Sequence, residues 1–212
     1  MPNIDFDETQ KYLETLVPPR EPELQKMEAY AKEHDFPIIG PVCGYYCYQM
    51  ARMIGAKSVF ELGSGYGYST AWFAKAVKEN GGGVVHHTVW DDELSKQAAG
   101  HLSALGGEDV VIFHNAEAVE TLRKTDGPFD IIFNDIDKEG YPDSLPVIKE
   151  KLRPGGILII DNMIWSGRVW DDDNKDRSTE AIREFTRAIT TDPDWIVSLT
   201  PVRDGMIVAY KR

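Results

Sequence analysis

A chain of 212 residues, 42% of them apolar, is long enough to bury one sizeable core and has a globular rather than a disordered composition. The formal charge of −12 disfavours non-specific binding to nucleic acid or to an anionic membrane, and no apolar run reaches spanning length. The stretch Met1 to Gln10 is acidic and polar, unlike a signal peptide, and Cys43 and Cys47 lack the partners that a zinc or redox site needs; they read as buried free thiols in a reducing, cytoplasmic setting.

In chain order, Asp7 to Leu16 and Glu21 to His34 are predicted helices, separated by Val17-Pro18-Pro19-Arg20, with Pro22 suited to a first helical turn. Phe36 to Pro41 is a connector, and Gly44 to Ile54 a further helix rich in Tyr and Met. These helices precede any strand, so residues 1–56 are expected to form a cap or an oligomer surface. From Lys57 strands and helices alternate. Strand 58–62 leads to helix 69–79, strand 84–90 to helix 92–104, and strand 109–113 to helix 116–124. Strand 129–134 leads to helix 141–152, and strand 157–161 to a long polar loop, 162–177, and helix 178–190. Trp195 to Val202 and Met206 to Lys211 form an antiparallel hairpin about Arg203-Asp204-Gly205. The alternation predicts one domain over 1–212 whose α/β core, 57–212, is a doubly wound, mostly parallel seven-stranded sheet with its ligands at the carboxyl ends of the strands.

Two features stand at those ends. The first is Glu61-Leu62-Gly63-Ser64-Gly65-Tyr66-Gly67-Tyr68-Ser69, where an apolar strand enters three alternating glycines and a helix leaves them. Glycine permits positive φ and puts no Cβ between backbone and ligand, so the helix N-terminus can approach a small molecule. A dinucleotide fingerprint would need glycine where Tyr68 stands, and Glu61 suits a cationic or hydroxyl-bearing ligand better than a pyrophosphate. The second is a pair of buried strands that end in charge: Phe129 to Asn134 runs into Asp135-Ile136-Asp137-Lys138, and Ile157 to Ile160 into Asp161-Asn162. If the two strands are neighbours, Asp135, Asp161 and Asn162 converge as hard oxygen ligands for Mg²⁺, Mn²⁺ or Ca²⁺. The competing reading is helix capping by Asp and Asn. Lys138, beside such an ion, could accept a proton.

With these motifs the chain from about Phe36 onward resembles the cation-dependent O-methyltransferases that use S-adenosylmethionine, the family of catechol and caffeoyl-CoA O-methyltransferases, and in particular its small bacterial members. The resemblance implies a Rossmann-like methyltransferase fold with an N-terminal helical cap, and a homodimer. It implies that Glu61, Gly63, Ser64, Gly65 and Ser69 hold S-adenosylmethionine, that Asp137, with Asp135 beside it, reaches its methionine end, and that Ala116 and Glu117 flank the adenine. It implies metal binding by Asp135, Asp161 and Asn162, proton abstraction by Lys138, and cover of the acceptor by the loop 163–177. The expected acceptor is a small aromatic diol, not nucleic acid and not a membrane component. Trp165, Trp170 and Asp171-Asp172-Asp173 in that loop hint at an aromatic acceptor that is not strongly anionic.

One departure stands out. The family usually ends its second strand with an acid that holds the cofactor ribose, but here the strand reads His86-His87-Thr88-Val89-Trp90-Asp91-Asp92. The position falls on Val89 or Trp90, leaving Trp90 to stack on the cofactor and Asp91 or Asp92 to reach the hydroxyls. Asn134 stands where an apolar residue is usual. Two other functions stay open: methylation of tRNA wobble uridines, as in some bacterial relatives, against which the acidic balance weighs, and binding of S-adenosylmethionine without catalysis, which the altered ribose position would suit.

Overall fold

The computed structural model describes residues 5–212; Met1–Ile4, the start of the acidic stretch noted above, lie outside the described residues. The elements are α1 (Phe6–Leu16), α2 (Pro22–Glu33), α3 (Gly40–Met53), β1 (Ser58–Leu62), α4 (Tyr68–Glu79), β2 (Val84–Val89), α5 (Asp92–Ala104), β3 (Val111–Asn115), α6 (Ala118–Lys124), β4 (Phe129–Asn134), α7 (Tyr141–Lys151), β5 (Leu152–Ile160), α8 (Arg177–Thr191), β6 (Trp195–Thr200) and β7 (Met206–Lys211). Short 3₁₀ turns add Glu108–Val110, Lys138–Gly140 and Trp165–Trp170.

The strands form one seven-stranded sheet in the order β3-β2-β1-β4-β5-β7-β6. The β3-β2-β1-β4-β5 pairings are parallel, while β7 runs antiparallel to both β5 and β6. Period-2 alternation on the central strands decides the layers. Val59, Ile131, Phe133, Ile157 and Ile159 face one core, shared with Cys43 and Cys47 of α3 and Trp72 and Phe73 of α4. Phe60, Ile132, Leu158 and Ile160 face the other, shared with Leu122 of α6, Ile148 of α7 and Ile182 and Phe185 of α8. The sheet is therefore covered on both faces, which accounts for strands that are apolar at nearly every position. Both cysteines are buried and free.

Strand order reverses between β1 and β4, the place where an open parallel sheet leaves a crevice. The register pairs Leu62 with Asn134, and the Asp135 amide donates to Leu62 O at 2.9 Å. The glycine loop and the acidic loop thus leave the sheet side by side. A Cβ on Gly63, at φ +80°, would stand 2.7 Å from Asp135 O, and one on Gly67, at φ +90°, 3.0 Å from Ala98 and Leu102 of α5. Two of the three glycines are therefore required by packing inside the chain as well as by backbone conformation.

Helix α3 begins at Gly40 rather than Gly44, β6 ends at Thr200 rather than Val202, and several other ends shift by one residue; three further shifts have a clear local cause. The third strand begins two residues later than 109–113, because Glu108–Val110 forms a 3₁₀ turn and β2 sets the register from Val85–Val111. Helix α6 begins at Ala118 rather than 116, because the Glu117 carboxylate accepts from the amides of Val119 and Glu120 and so caps it. Strand β5 begins at Leu152 rather than 157, because Leu152 already pairs with Phe129, and the ladder resumes at Ile131 and Ile157 after an irregularity in which Gly155 takes φ +74°.

Candidate active site

A cavity of about 1150 Å³ opens at the carboxyl edge of the sheet, over the β1–β4 switch point. Of the residues singled out in the sequence, Gly63, Ser64, Gly65, Ser69, Trp90, Ala116, Glu117, Asp135, Asp137, Lys138 and Asn162 line it. Glu61, Asp91 and Asp161 do not. Val89 and Trp165, also named from the sequence, line it too, and the structure adds Phe36 to Ile39 from the connector, Thr88 from β2, Arg123 and Arg203.

The glycine loop is tied to the end of β2 through one residue. Thr88 Oγ1 donates to Glu61 O at 2.6 Å and accepts from the Gly63 amide at 3.3 Å, while Thr88 N donates to Ser64 Oγ at 3.0 Å. Glu61 itself is fully buried behind this loop. Neither of its carboxylate oxygens has a hydrogen-bond partner among the described residues. Burial raises its pKa to about 7, held down in part by the nearby hydroxyls of Ser69, Thr70 and Ser64. Glu61, expected at the cofactor, is buried and does not itself line the cavity.

The end of β2 departs further from expectation. Val89 is buried at the strand end and Trp90 is 78% exposed on the cavity rim. Asp91 is the N-cap of α5: its Oδ1 accepts from the amides of Glu93 and Leu94, both at 2.9 Å. Asp92 accepts from the Asn115 side chain. Local capping, the standard use of an aspartate before a helix, engages Oδ1 of the carboxylate expected at the ribose, and Asp91 does not line the cavity.

Lys138 is nearly buried, with 10% of its side chain exposed. Its Nζ donates to Asp135 Oδ1 at 2.9 Å, to Ile136 O at 3.2 Å and to Tyr141 Oη at 3.0 Å. Tyr141 is buried and donates to Asp161 O at 3.0 Å, so one phenol couples the loops after β4 and β5. The Trp165 ring centroid lies 5.9 Å from Nζ. Asn134 turns away from this cluster, its amide donating to Ser144 Oγ at 2.9 Å.

Strands β4 and β5 are neighbours, as expected, and Asn134 O accepts from the Asp161 amide at 3.3 Å. Asp161 is fully buried; Oδ1 has no partner among the described residues and Oδ2 accepts from Arg203 Nη1 at 3.1 Å. Burial and the neighbouring Asp135 carboxylate push its pKa up, against the pull of Arg203. Asn162 adopts φ +61° and its amide nitrogen lies 3.4 Å from Asp204 Oδ2. Two carboxylates and an amide make a hard donor set, and the orphaned Asp161 Oδ1 is a buried acceptor in need of a cation or a donor. Among the described residues no group of three or more His, Cys, Asp or Glu side chains could hold a metal, so Asn162 would have to complete the set.

The loop after β5 is pinned by a residue that pattern reading passed over. Arg183 of α8 donates to Val169 O at 3.0 Å, Arg168 O at 3.0 Å, Asn174 O at 2.8 Å and Asp171 O at 2.5 Å. Trp165 reaches the cavity, whereas Trp170 is 68% exposed and does not line it.

A family model described as O-methyltransferase matches residues 22–212. A putative O-methyltransferase of Mycolicibacterium vanbaalenii is 28% identical over 82% of this chain and 76% of its own. A catechol O-methyltransferase of Niastella koreensis is 27% identical over 99% of both chains. Among solved structures, TomG of Streptomyces achromogenes, an O-methyltransferase of tomaymycin synthesis in complex with SAM, superposes with a TM-score of 0.85 at 25% identity over 96% of each chain. The O-methyltransferase of Bacillus cereus in complex with SAH has the same fold, with a TM-score of 0.87 at 24% identity over 97% of each chain. The chain belongs to the O-methyltransferase family.

Two outcomes follow from this geometry. Because the folded pKa of Glu61 lies above its ordinary 4.5, its contribution to stability is fully present below about pH 4.5 and is lost as pH rises through about 7. Glu61→Gln is therefore expected to gain on the wild type above pH 7, by at most roughly 3.5 kcal/mol at about 1.4 kcal/mol per pKa unit, and to match it near pH 4.5; denaturant unfolding at the two pH values measures this. Asp91→Ala is expected to lower stability by about 1 kcal/mol through loss of the cap while leaving S-adenosylmethionine affinity within about twofold by calorimetry.

Proposed function

We propose that this chain transfers the methyl group of S-adenosylmethionine to one hydroxyl of a small aromatic acceptor with oxygens on adjacent carbons. The observation that carries the reading is Lys138, held at the cavity wall by Asp135, Ile136 O and Tyr141, beside the glycine loop and facing Trp165. The loop Gly63 to Gly67 and the start of α4 would take the methionine part of the cofactor with Asp137, and Ala116 and the backbone about Glu117 the adenine. Trp90 would cover the ribose in place of an acid, which makes sugar recognition a matter of stacked area rather than of charged hydrogen bonds. The catechol O-methyltransferase of Niastella koreensis, alike over its full length, supports the acceptor class.

When bound, S-adenosylmethionine supplies an electrophilic methyl on a sulfonium, and a divalent ion of the Mg²⁺ kind at Asp135, Asp161 and Asn162 would acidify and orient the acceptor hydroxyl. The remaining work falls to the chain. A lysine ammonium has three N–H donors, and the three acceptors around Nζ fix its position before the acceptor arrives. Once Nζ has released a proton, its lone pair can take the acceptor's hydroxyl proton from that fixed position. Trp165 offers an aromatic face to the acceptor ring, and alignment of the oxygen with the methyl carbon supplies a large share of the acceleration.

Methyl transfer to caffeate, compared with bulk tRNA and with excess EDTA, tests the whole reading: caffeate should be methylated, tRNA should not, and EDTA should abolish turnover. Lys138→Met is expected to lower kcat by about 10² or more while S-adenosylmethionine still binds; an unchanged kcat between about pH 6 and 9 would assign the proton elsewhere. The same reading includes a homodimer. It is supported by α1, which buries none of its residues yet exposes Phe6, Tyr12 and Leu16. Sedimentation at micromolar concentration should give twice the chain mass.

A further inference from the structure

Both carboxylates of the acidic pair already hold a cation of the chain itself. Lys138 Nζ stands 2.9 Å from Asp135 Oδ1 and Arg203 Nη1 3.1 Å from Asp161 Oδ2. The two cations are not alike. Lys138 leaves the same loop as Asp135, whereas Arg203 comes from the β6–β7 turn, 42 residues beyond Asp161. Arg203 lines the cavity and the Asp161 it touches is fully buried, so the guanidinium lies on the open side of that carboxylate. Its charge is permanent, since arginine does not deprotonate in proteins. The backbone that carries it is strained: Arg203 has φ +50°, a conformation that glycine adopts freely and a bulky side chain does not. The turn is fixed from outside as well. The Arg203 amide donates to Gln10 Oε1 of α1 at 3.2 Å, and Asp204 accepts from the Ser166 amide at 2.6 Å. A strained arginine, aimed at one of the two carboxylates that would anchor the ion, is a feature that a plain hairpin turn does not require.

We propose that Arg203 is a built-in competitor of the divalent ion: its guanidinium neutralises Asp161 in the ion-free enzyme, and the ion binds only as the guanidinium leaves that oxygen. This rests on the reading of Asp135, Asp161 and Asn162 as the ion's ligands. It makes ion binding weaker than the bare donor set would allow, and it makes release of the ion less costly, because Asp161 is not left as a lone buried charge.

Titration of Mn²⁺ into the full-length protein, followed by the loss of the free-ion electron paramagnetic resonance signal, measures this without turnover. Arg203→Gly, which suits the left-handed backbone, should bind Mn²⁺ at least about tenfold tighter than the wild type. Arg203→Lys, which keeps the charge without the planar fork, should fall between them. If Arg203→Gly does not fold by thermal unfolding and S-adenosylmethionine binding, Arg203→Met is held to the same criterion. Equal Mn²⁺ affinity in wild type and variant, with binding abolished by Asp161→Asn, overturns the competition but keeps the metal reading. No Mn²⁺ binding by either, with S-adenosylmethionine bound normally, overturns the metal reading and the competition with it.

Discussion

Three carboxylates stand at the carboxyl edge of one dry sheet, and two of them, Glu61 and Asp161, are fully buried. Burying a charge without compensation costs several kcal/mol, so everything around these groups is arranged about their neutralisation. Glu61, with no hydrogen-bond partner at either oxygen among the described residues, meets the cost with a pKa that burial raises. Asp161 meets it with Arg203 at one oxygen and leaves the other without a partner. Asp135, 27% exposed at its side chain, keeps Lys138 at 2.9 Å. The sheet makes this crowding unavoidable: the β1–β4–β5 pairings put residues 61, 135 and 161 on three adjacent strand ends. The same crowding supplies function, because groups that cannot be satisfied within the chain are those that bind something else.

Much of this was legible in the sequence because it is local. Strand 129–134 and the hairpin strand from Met206 to Lys211 stand where their apolar runs and bounding turns put them, and helix α5 spans the residues 92–104 expected of it. The convergence of Asp135 and Asp161 followed from two identical strand designs and a single topological assumption, that the strands are neighbours. The residues that pattern reading missed act across long sequence separations. Thr88 reaches the glycine loop 24 to 27 positions back, and Arg203 reaches Asp161 over 42. Nothing in Arg203-Asp204-Gly205 marks it as more than a tight turn, since the glycine follows the strained residue rather than occupying it. Arg183 is likewise silent in sequence: on an amphipathic helix it reads as a solvated charge, yet it binds four carbonyls of the loop 168–174.

Two of the expected site carboxylates have a second employer. At Asp91 and Glu117 the same side chain could serve a ligand or the first turn of a helix, and in both it caps the helix. Unpaired N–H groups at a helix start are present at every moment of the molecule's life, whereas a ligand is not, so a carboxylate one residue before a helix is drawn to the cap first. The glycines follow the same logic. Gly63 and Gly67 make room for Asp135 O and for α5, whereas a Cβ on Gly65 would meet only the Phe36 ring, at a contact distance of 3.4 Å. A glycine-rich turn therefore reports close backbone approach, and the approach can be to the protein itself.

The wall on the acceptor side completes the argument from packing to chemistry. Trp165 and Ser166 both adopt positive φ, and their turn is held from two directions, by the Asp204 carboxylate at the Ser166 amide and by Arg183 at the carbonyls that follow. Asp204 belongs to the same β6–β7 turn as Arg203. One turn at the far end of the chain therefore fixes both the cation at Asp161 and the backbone that presents Trp165 beside Lys138. The charge set against Asp161 and the anchor of the Trp165 backbone thus rest on two consecutive residues of one turn.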